Sequence, residues 1–214
     1  MAKKIGILGS GQVGKTLGNA FLEVGYEVKI GSRSPKKLDS WLKETGGKAR
    51  SGTYVDVASF GEIIVLATLG QAAEEVINLA GSKNFAGKLV IDAMNPLDFS
   101  KGMIPSLLPA YNTLSLGEFV QRKLPNSKVV KCFNTVPNTQ MFRPKFAGAQ
   151  MLICGNNQTA KEEVTAILRQ FGWSGAIDVG GIEDVRWLES LALLWMKAAR
   201  TTQAWDSIFM LVRE

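Results

Sequence analysis

The sequence predicts an α/β protein with a doubly wound, mainly parallel β-sheet and a helical segment at its C-terminal end. Two observations support this fold class. Apolar runs alternate with amphipathic helical patterns from residue 4 onward, which is typical of successive βαβ units. The runs at residues 63–67 and 89–91 are apolar at every position, as expected for central strands that are buried on both faces of a sheet.

The first elements follow one another closely. Residues 4–9 are a predicted strand, and Gly25 is the predicted C-cap of the helix that follows it. One face of that helix is apolar and consists of Val13, Leu17, Phe21 and Val24. A second strand covers residues 26–31, after which Ser34 and Pro35 predict the N-cap and the first residue of a short helix.

The alternation continues through the rest of the chain. A loop at residues 95–109, which contains Pro and Ser, interrupts it before the next helix. The remaining predicted elements are a helical crossover at residues 71–80, a helix at 116–123, a strand at 129–133, two strands at 150–154 and 176–179, and a helix at 159–171 between those two strands.

Residues 183–200 differ from the earlier helices because their apolar side chains cover most of the helix circumference. That is more apolar surface than one contact face usually buries. We therefore expect residues 181–214 to form a helical segment on a domain made of residues 1–180, to wall its cleft and to form a homodimer interface. The alternative is a core helix that is buried only against the sheet.

The composition excludes several classes of protein. The 214 residues are 46% hydrophobic, enough to build a core, and no run of 18 apolar residues is present to span a membrane. The net charge of +6 comes from basic residues scattered in twos and threes, without the arginine-rich helix typical of nucleic-acid binding. We therefore expect neither a membrane nor a nucleic acid as a partner.

The chain contains no histidine, which excludes Ser-His-Asp and Cys-His nucleophile systems and any His-ligated zinc. Cys132 and Cys154 are isolated in the sequence and lack the spacing of metal ligands. They are expected to be buried thiols in a reducing cytoplasm, and no metal site is predicted.

The segment after the first strand fits two nucleotide-binding patterns. Residues 9–16 read GSGQVGKT, which satisfies the pattern G-x-G-x-x-G of dinucleotide-binding proteins. It also satisfies G-x-x-x-x-G-K-T, the phosphate loop of ATPases and GTPases, in which Lys15 and Thr16 would contact phosphate and Mg²⁺. Asp92, at the end of an apolar strand, resembles the metal-binding Asp of such enzymes.

Several features favour the dinucleotide pattern. Gly9, Gly11 and Gly14 match its three glycines, and Gly11 is required by this pattern alone, to let the backbone approach a pyrophosphate. Gly18 lies one turn beyond Gly14, which permits close contact between the helix and the strand. The sequence therefore predicts a dinucleotide bound to a Rossmann-type fold.

The residues about 20 positions after the glycine loop distinguish NAD from NADP, because they meet the adenosine ribose. An acidic residue there would accept the ribose hydroxyls of NAD, but residues 31–37 contain no carboxylate that would repel a phosphate. An arginine can instead donate two hydrogen bonds to the 2′-phosphate of NADP, assisted by hydroxyl and ammonium groups. The predicted contacts are Ser32, Arg33, Ser34, Lys36 and Lys37.

These segments together resemble the NADP oxidoreductases related to the deazaflavin-coenzyme-dependent enzymes, and the NADPH-binding domain of the six-transmembrane metalloreductases is similar. The resemblance spans nearly the whole chain. Its segments are GILGSG at residues 6–11, GSR at 31–33, VVKCFNTVP at 129–137 and LESLA at 188–192. Leu8 stands where deazaflavin-dependent enzymes tend to carry a further glycine, so the first segment is more similar to the metalloreductase domain.

The resemblance implies cofactor contacts from several loops. It places the pyrophosphate on the glycine loop, the 2′-phosphate on Ser32 and Arg33, and the nicotinamide near the loops that follow later strands. Ligands lie beyond the carboxyl ends of parallel strands, which supports the same placement. Besides the residues named for the 2′-phosphate, the expected contacts are Gly9, Ser10, Gly11, Gln12, Val13, Gly14, Ala67, Thr68, Leu69, Gly70, Met94, Asn95, Asn134, Pro137 and Asn138.

The resemblance also implies a reaction, namely hydride transfer between NADPH and a planar acceptor such as a deazaflavin or flavin. That reaction depends on ring alignment more than on a side-chain acid or base, which fits the absence of histidine. No catalytic residue is assigned. The alternatives are a non-catalytic NADP-binding or redox-sensing module and a nucleoside-triphosphate enzyme that uses Lys15 and Thr16.

Overall fold

The computed structural model describes residues 2–100, 102 and 105–212 of the chain. Its strands are β1 (Lys4–Leu8), β2 (Glu27–Gly31), β3 (Ala49–Gly52), β4 (Ile63–Leu66), β5 (Leu89–Asp92), β6 (Leu97–Asp98), β7 (Ser106–Leu107), β8 (Lys128–Lys131), β9 (Gln150–Ile153) and β10 (Gly175–Asp178). Its α-helices are α1 (Gln12–Glu23), α2 (Asp39–Glu44), α3 (Tyr54–Phe60), α4 (Ala73–Ala80), α5 (Leu116–Lys123), α6 (Gln158–Gln170) and α7 (Val185–Thr202).

The central sheet has six strands in the order β3-β2-β1-β4-β5-β8, and all of its pairs are parallel. Ile7 of β1 stands between Ile30 of β2 and Val65 of β4. Strands β2 and β3 therefore extend the sheet to one side of β1, and β4, β5 and β8 extend it to the other. This is the strand order 3-2-1-4-5-6 of the doubly wound Rossmann fold, whose ligand cleft opens where the order reverses. The predicted fold class is confirmed.

Both faces of the sheet are covered, because consecutive residues of each central strand are apolar and point to opposite sides. On one side Ile7 belongs to a core with Phe21 of α1 and Leu168 of α6. On the other side Leu8 belongs to a second core with Val57 of α3. The helices on both faces fix the carboxyl ends of the strands, where the loops of the candidate site begin.

Several elements differ from the sequence prediction. β3 and α3 were not predicted, since the sequence ARSG of β3 has no apolar run to mark it. β9 and β10 form a separate two-stranded parallel sheet, joined to the end of β8 by an antiparallel bridge between Lys131 and Cys154. The predicted loop at residues 95–109 contains the antiparallel pair β6–β7, while its residues 101, 103 and 104 lie outside the described part.

The structure has a short helix at the predicted place, with Ser34 at its N-cap position. Pro35–Leu38 form a 3₁₀ helix with Pro35 at its first position, and α2 follows it directly. The Ser34 side chain makes no capping hydrogen bond. Its backbone N–H donates to the hydroxyl oxygen of Ser32, at 3.2 Å, and closes a local turn just before the helix.

Helix α7 packs on α5 and presents both buried and exposed apolar residues. Val185 and Leu188 are buried, whereas Trp187 and Leu194 are 62% and 55% exposed. Gly117 of α5 makes the contact possible, because a Cβ there would lie 2.6 Å from a methyl carbon of Val185. Within the described residues, no helix is both long enough and apolar enough to cross a membrane.

Candidate active site at the carboxyl edge of the sheet

A cleft of about 420 Å³ opens at the carboxyl ends of the central strands, where the strand order reverses. The loops after β1, β2, β4 and β5 all contribute to its walls. The predicted site residues that line it are Gly9, Ser10, Gly11, Gln12, Val13, Arg33, Ala67, Thr68, Leu69, Gly70, Met94 and Asn95.

The three glycines of the loop after β1 have different structural roles. Gly9 has φ +138°, and a Cβ there would lie 2.3 Å from the carbonyl oxygen of Ala67. A Cβ on Gly14 would lie 1.9 Å from the carbonyl oxygen of Gly9, so only glycine lets α1 approach β1 this closely. At Gly11 the space is open, with no atom within 4 Å. These are the roles of the tight turn, close helix contact and close ligand approach in dinucleotide-binding loops.

The open space at Gly11 also shows whether a dinucleotide could fit against this loop. Gly11 is the N-cap of α1, so the first N–H groups of the helix and its positive dipole end meet at this position. A side chain at residue 11 would fill the space beside these donors, where a pyrophosphate would lie. The loop therefore fits a dinucleotide phosphate. A phosphate loop of the ATPase kind has no requirement for glycine at this position.

Serine hydroxyls connect this loop to the end of β2. The Ser10 hydroxyl donates to the Ser32 hydroxyl oxygen at 3.2 Å, and the same oxygen accepts the Ser34 N–H. Ser32 is buried, whereas Arg33 beside it is exposed and lines the cleft. The network holds the turn at residues 32–34 against the glycine loop and leaves the guanidinium of Arg33 at the cleft mouth.

A carboxylate lies near Arg33 in the fold, although residues 31–37 contain none. Glu75 of α4 lines the same part of the cleft, and its Oε1 lies 3.4 Å from Nη1 of Arg33. The sequence segment 31–37 lacks an acid, but the fold brings one from 42 residues away. Tyr54 of α3 lines the cleft beside them, and burial raises the pKa of its phenol above the ordinary value.

The loops after β4 and β5 meet in the floor of the cleft. A Cβ on Gly70 would lie 2.4 Å from the carbonyl oxygen of Asn95, so glycine permits the two loops to touch. The hydroxyl of Thr68 donates to the sulfur of Met94 at 3.2 Å. Farther out the walls are apolar, because Leu69, which is 66% exposed, and Phe99, which is 49% exposed, line the cleft.

Asn134 lies behind this floor, where it contacts Asn95. Its Nδ2 donates to the side-chain oxygen of Asn95 at 3.0 Å and to the carbonyl oxygen of Leu188 at 3.1 Å, while Nδ2 of Asn95 donates to the carbonyl oxygen of Asn134 at 2.7 Å. Oδ1 of Asn134 is buried without a partner among the described residues. Phe133 before it has φ +69°, a strained conformation for a bulky residue.

The remaining predicted site residues lie outside the cleft wall. Gly14 is inside α1, and the short 3₁₀ helix after β2 carries the exposed Lys36 and Lys37. Pro137 and Asn138 belong to the loop after β8, which is tied to the C-terminal tail where Gln140 donates to Asp206 at 2.7 Å. The predicted residues outside the wall are Gly14, Ser32, Ser34, Lys36, Lys37, Asn134, Pro137 and Asn138.

Several residues of the cleft were not predicted from the sequence. Tyr54 was missed because α3 itself was not predicted, whereas Glu75 lies in the first turn of a helix that was predicted and could have been recognised from its place after β4. The cleft residues that were not predicted are Tyr54, Ala72, Glu75, Val76, Ala93, Leu97 and Phe99. The charged groups among all the lining residues are Arg33 and Glu75, both at one end. In the described part of the chain, no cluster of three or more Cys, Asp or Glu side chains could hold a metal ion.

Comparison with known proteins agrees with this geometry. The family model described as "NADP oxidoreductase coenzyme F420-dependent" matches residues 4–96. Metalloreductase STEAP3 of Rattus norvegicus is 28% identical over 193 residues, which are 90% of this chain and 37% of that protein. The chain spans 36–37% of the length of the metalloreductases that it matches.

Two relatives match over most of both lengths. The F420-dependent NADP reductase of Methanocaldococcus jannaschii is 30% identical over 188 residues, which are 78% of this chain and 79% of that protein. A crystal structure from Arthrobacter sp. FB24, named as a candidate F420-dependent NADP reductase, superposes with a TM-score of 0.92, 36% identity and complete coverage of both chains. The chain therefore belongs to the family of coenzyme F420-dependent NADP oxidoreductases.

Proposed function

We propose that this protein transfers a hydride between NADPH and a planar acceptor such as a deazaflavin or flavin. The observation that carries the proposal is the combination of an open glycine loop and an exposed arginine in one cleft. Gly11 leaves space for a pyrophosphate at the start of α1, and Arg33 stands at the mouth of the same cleft. Family membership supports NADP as the cofactor.

In this proposal the cleft residues hold the two ends of the cofactor in different ways. The backbone at residues 9–13 binds the pyrophosphate through N–H groups at the start of α1. Arg33 binds the 2′-phosphate, with Ser32, Ser34, Lys36 and Lys37 adding hydroxyls and positive charge around it. The loops after β4 and β5, at residues 67–70 and 94–95, flank the ribose and nicotinamide, with Asn134 behind them and Pro137 and Asn138 beside the acceptor.

The apolar outer wall is where the acceptor ring would lie. Leu69 and Phe99 expose apolar side chains there, and flat apolar surfaces favour contact with a planar ring. Bound NADPH would supply a hydride, which carries both electrons, and the acceptor would take one further proton from water. The side chains of the wall align the two rings and exclude water between them. No residue of the chain has to donate or remove a proton, in agreement with the absence of histidine.

We also propose that the segment 181–214 forms a homodimer interface on the domain formed by residues 1–180. Trp187 and Leu194 are exposed on one helix, and exposed apolar side chains of this size often mark an interface. Sedimentation of the parent protein and of Leu194→Asp tests this, since the variant should shift the population to monomers. A cytoplasmic setting is proposed from the two buried free thiols, Cys132 and Cys154.

Anaerobic mixing of the protein with NADPH and each acceptor tests the proposed reaction. Deuterium at the transferred position of NADPH should appear in a reduced deazaflavin, which accepts hydride at carbon, and should slow the reaction. A flavin screen in parallel identifies the preferred ring. Tight NADPH binding without turnover with either ring would contradict the proposed reaction and favour a cofactor-binding module.

A further inference from the structure

A buried cluster of three charged side chains lies beneath the floor of the cleft. The ammonium of Lys131 contacts Oδ2 of Asp92 at 3.0 Å and Oε1 of Glu189 at 2.9 Å. All three side chains are at most 1% exposed. Burial opposes the charge on Lys131, but the two carboxylates more than offset this effect, so the pKa of its ammonium is raised.

The three residues come from three different elements. Asp92 ends β5 and Lys131 ends β8, and the two are paired across the sheet. Glu189 belongs to α7, outside the sheet, and its carboxylate also accepts the backbone N–H groups of Leu116 and Gly117 at 3.1 and 3.2 Å. The start of α5 thus offsets part of the excess negative charge of the cluster. The cluster fixes α7 and α5 against the ends of two strands.

A second layer of contacts joins the same elements directly above the cluster. Asn95 follows Asp92 by three residues, Asn134 follows Lys131 by three residues, and Leu188 precedes Glu189. These residues are connected by the hydrogen bonds of the Asn95–Asn134 pair and by the bond from Asn134 to the Leu188 carbonyl. Asp92 also holds the turn between the layers, because its Oδ1 accepts the Met94 N–H at 2.9 Å.

Buried ion clusters contribute little net stability, since desolvation cancels most of the attraction, but they can select one arrangement of the groups around them. Here the arrangement selected is that of Met94 and Asn95, which line the cleft. We propose that Glu189 and Lys131 are positioning residues, which act through Asp92 and Asn134 to hold the loops after β5 and β8 in the form that binds NADPH. The proposal rests on the proposed function for the identity of the ligand, but the coupling itself does not require it.

The first test compares Glu189→Gln with Glu118→Gln. Both carboxylates accept backbone N–H groups at the start of α5, but Glu118 is bonded to Ser115 and Arg186 and does not touch the cluster. A glutamine at 189 must turn an NH₂ group toward Lys131 or toward the N–H of Leu116, so a donor faces a donor. The measurement is the hydrogen-exchange rate of the Met94 backbone N–H in the proteins without ligand. We expect this N–H to exchange about tenfold faster in Glu189→Gln and within about twofold of the parent in Glu118→Gln.

The second readout is NADPH affinity by calorimetry. Glu189→Gln should weaken binding about fivefold, and Glu118→Gln should leave it within about twofold of the parent. Equal effects of the two variants on Met94 exchange, or no effect of Glu189→Gln, would overturn the proposal. If the parent failed to bind NADPH, the proposed function would be wrong, while the exchange comparison would still decide the coupling.

A third variant covers the case in which Glu189→Gln fails to fold. Asn134→Ala leaves the charged cluster intact and removes the two bonds that Nδ2 of Asn134 donates, to Oδ1 of Asn95 and to the carbonyl of Leu188. The bond from Nδ2 of Asn95 to the backbone carbonyl of residue 134 remains. The variant's Asn95 side-chain amide resonances should shift and sharpen, and NADPH binding should weaken about fivefold. Parent-like resonances and affinity in Asn134→Ala would contradict the proposal.

Discussion

Arg33 and Glu75 face each other at the mouth of the cleft, with Nη1 and Oε1 3.4 Å apart. The side chains are 69% and 51% exposed, so water screens their attraction, and such a pair contributes little stability. Arg33 can therefore exchange this partner for another anion at little cost. Glu75 competes with any phosphate for Arg33, and its negative charge also repels that phosphate.

Glu75→Gln should tighten NADPH binding by about two- to fivefold, because an exposed ion pair of this kind is worth about 0.2–1 kcal/mol. NADH lacks the 2′-phosphate and serves as the control, with an affinity that should stay unchanged. Calorimetric titration of the parent and of Glu75→Gln with NADPH and with NADH measures this. Weaker NADPH binding in Glu75→Gln would mean that Glu75 itself contacts the ligand.

Gly11→Ala should reduce mainly NADPH affinity, whereas Gly14→Ala should reduce mainly stability. Gly11 has φ −77° and no atom within 4 Å of a Cβ, so alanine there should change the free energy of unfolding by less than about 1 kcal/mol. The added methyl group lies where a pyrophosphate would approach, and NADPH affinity should fall at least tenfold, or about 1.4 kcal/mol.

Gly14→Ala should instead reduce stability by about 1–3 kcal/mol, since its Cβ would lie 1.9 Å from the carbonyl oxygen of Gly9. Denaturant unfolding and NADPH titration separate the two effects. A Gly11→Ala protein that binds NADPH as well as the parent would show that no pyrophosphate lies against this loop.

Lys15→Ala should leave NADPH affinity unchanged within about twofold, because Lys15 does not line the cleft. A nucleoside-triphosphate enzyme would need this lysine for phosphate binding. Titration of the parent and of Lys15→Ala with NADPH and with Mg·ATP distinguishes the two cases. ATP binding by the parent that is abolished in Lys15→Ala would contradict the dinucleotide assignment.

The attachment of the C-terminal tail should depend on pH through Asp206. Hydrogen bonds from Lys145, Thr139 and Gln140 hold the pKa of its carboxyl well below the ordinary range. Since the pKa is lower in the folded protein, the stabilisation is complete above the unfolded value of about 3.9 and is lost as pH falls below it. Asp206→Asn should lower the melting temperature at pH 7, and the difference from the parent should shrink below about pH 4.

Melting curves between pH 3 and pH 7 test this, and tryptophan emission, to which Trp195 beside the tail contributes, gives a second signal. The Trp195 indole N–H donates to the carbonyl of Ser207 at 2.8 Å, and its ring lies 6.3 Å from that of Trp205. A difference between parent and variant that stays constant down to pH 3 would show that the Asp206 carboxylate does not hold the tail.

The sequence predicted most of the sheet and the glycine loop because their signals are local. The apolar runs of β4 and β5 and the spacing of Gly9, Gly11 and Gly14 can each be recognised in a short window. The order of the strands and the cleft at their carboxyl ends then follow from the topology of this fold class.

The parts that were missed depend on contacts between distant residues. Glu75 of α4 contacts Arg33 in the turn after β2, and Glu189 contacts Lys131, which is 58 residues away in the sequence. Lys131 stands in an apolar run, and no local pattern indicates that its charge is buried between two carboxylates. Similarly, β3 is short and polar, so its place at the edge of the sheet is decided by its pairing with β2.

The most direct test of the account is a calorimetric titration of the parent protein and of Arg33→Ser with NADPH and NADH. We expect the parent to bind NADPH at least tenfold more tightly than NADH, a difference of about 1.4 kcal/mol or more. Arg33→Ser should remove most of that preference and leave NADH affinity as it was. Equal affinities of the parent for NADPH and NADH would contradict the assignment of Arg33 to the 2′-phosphate.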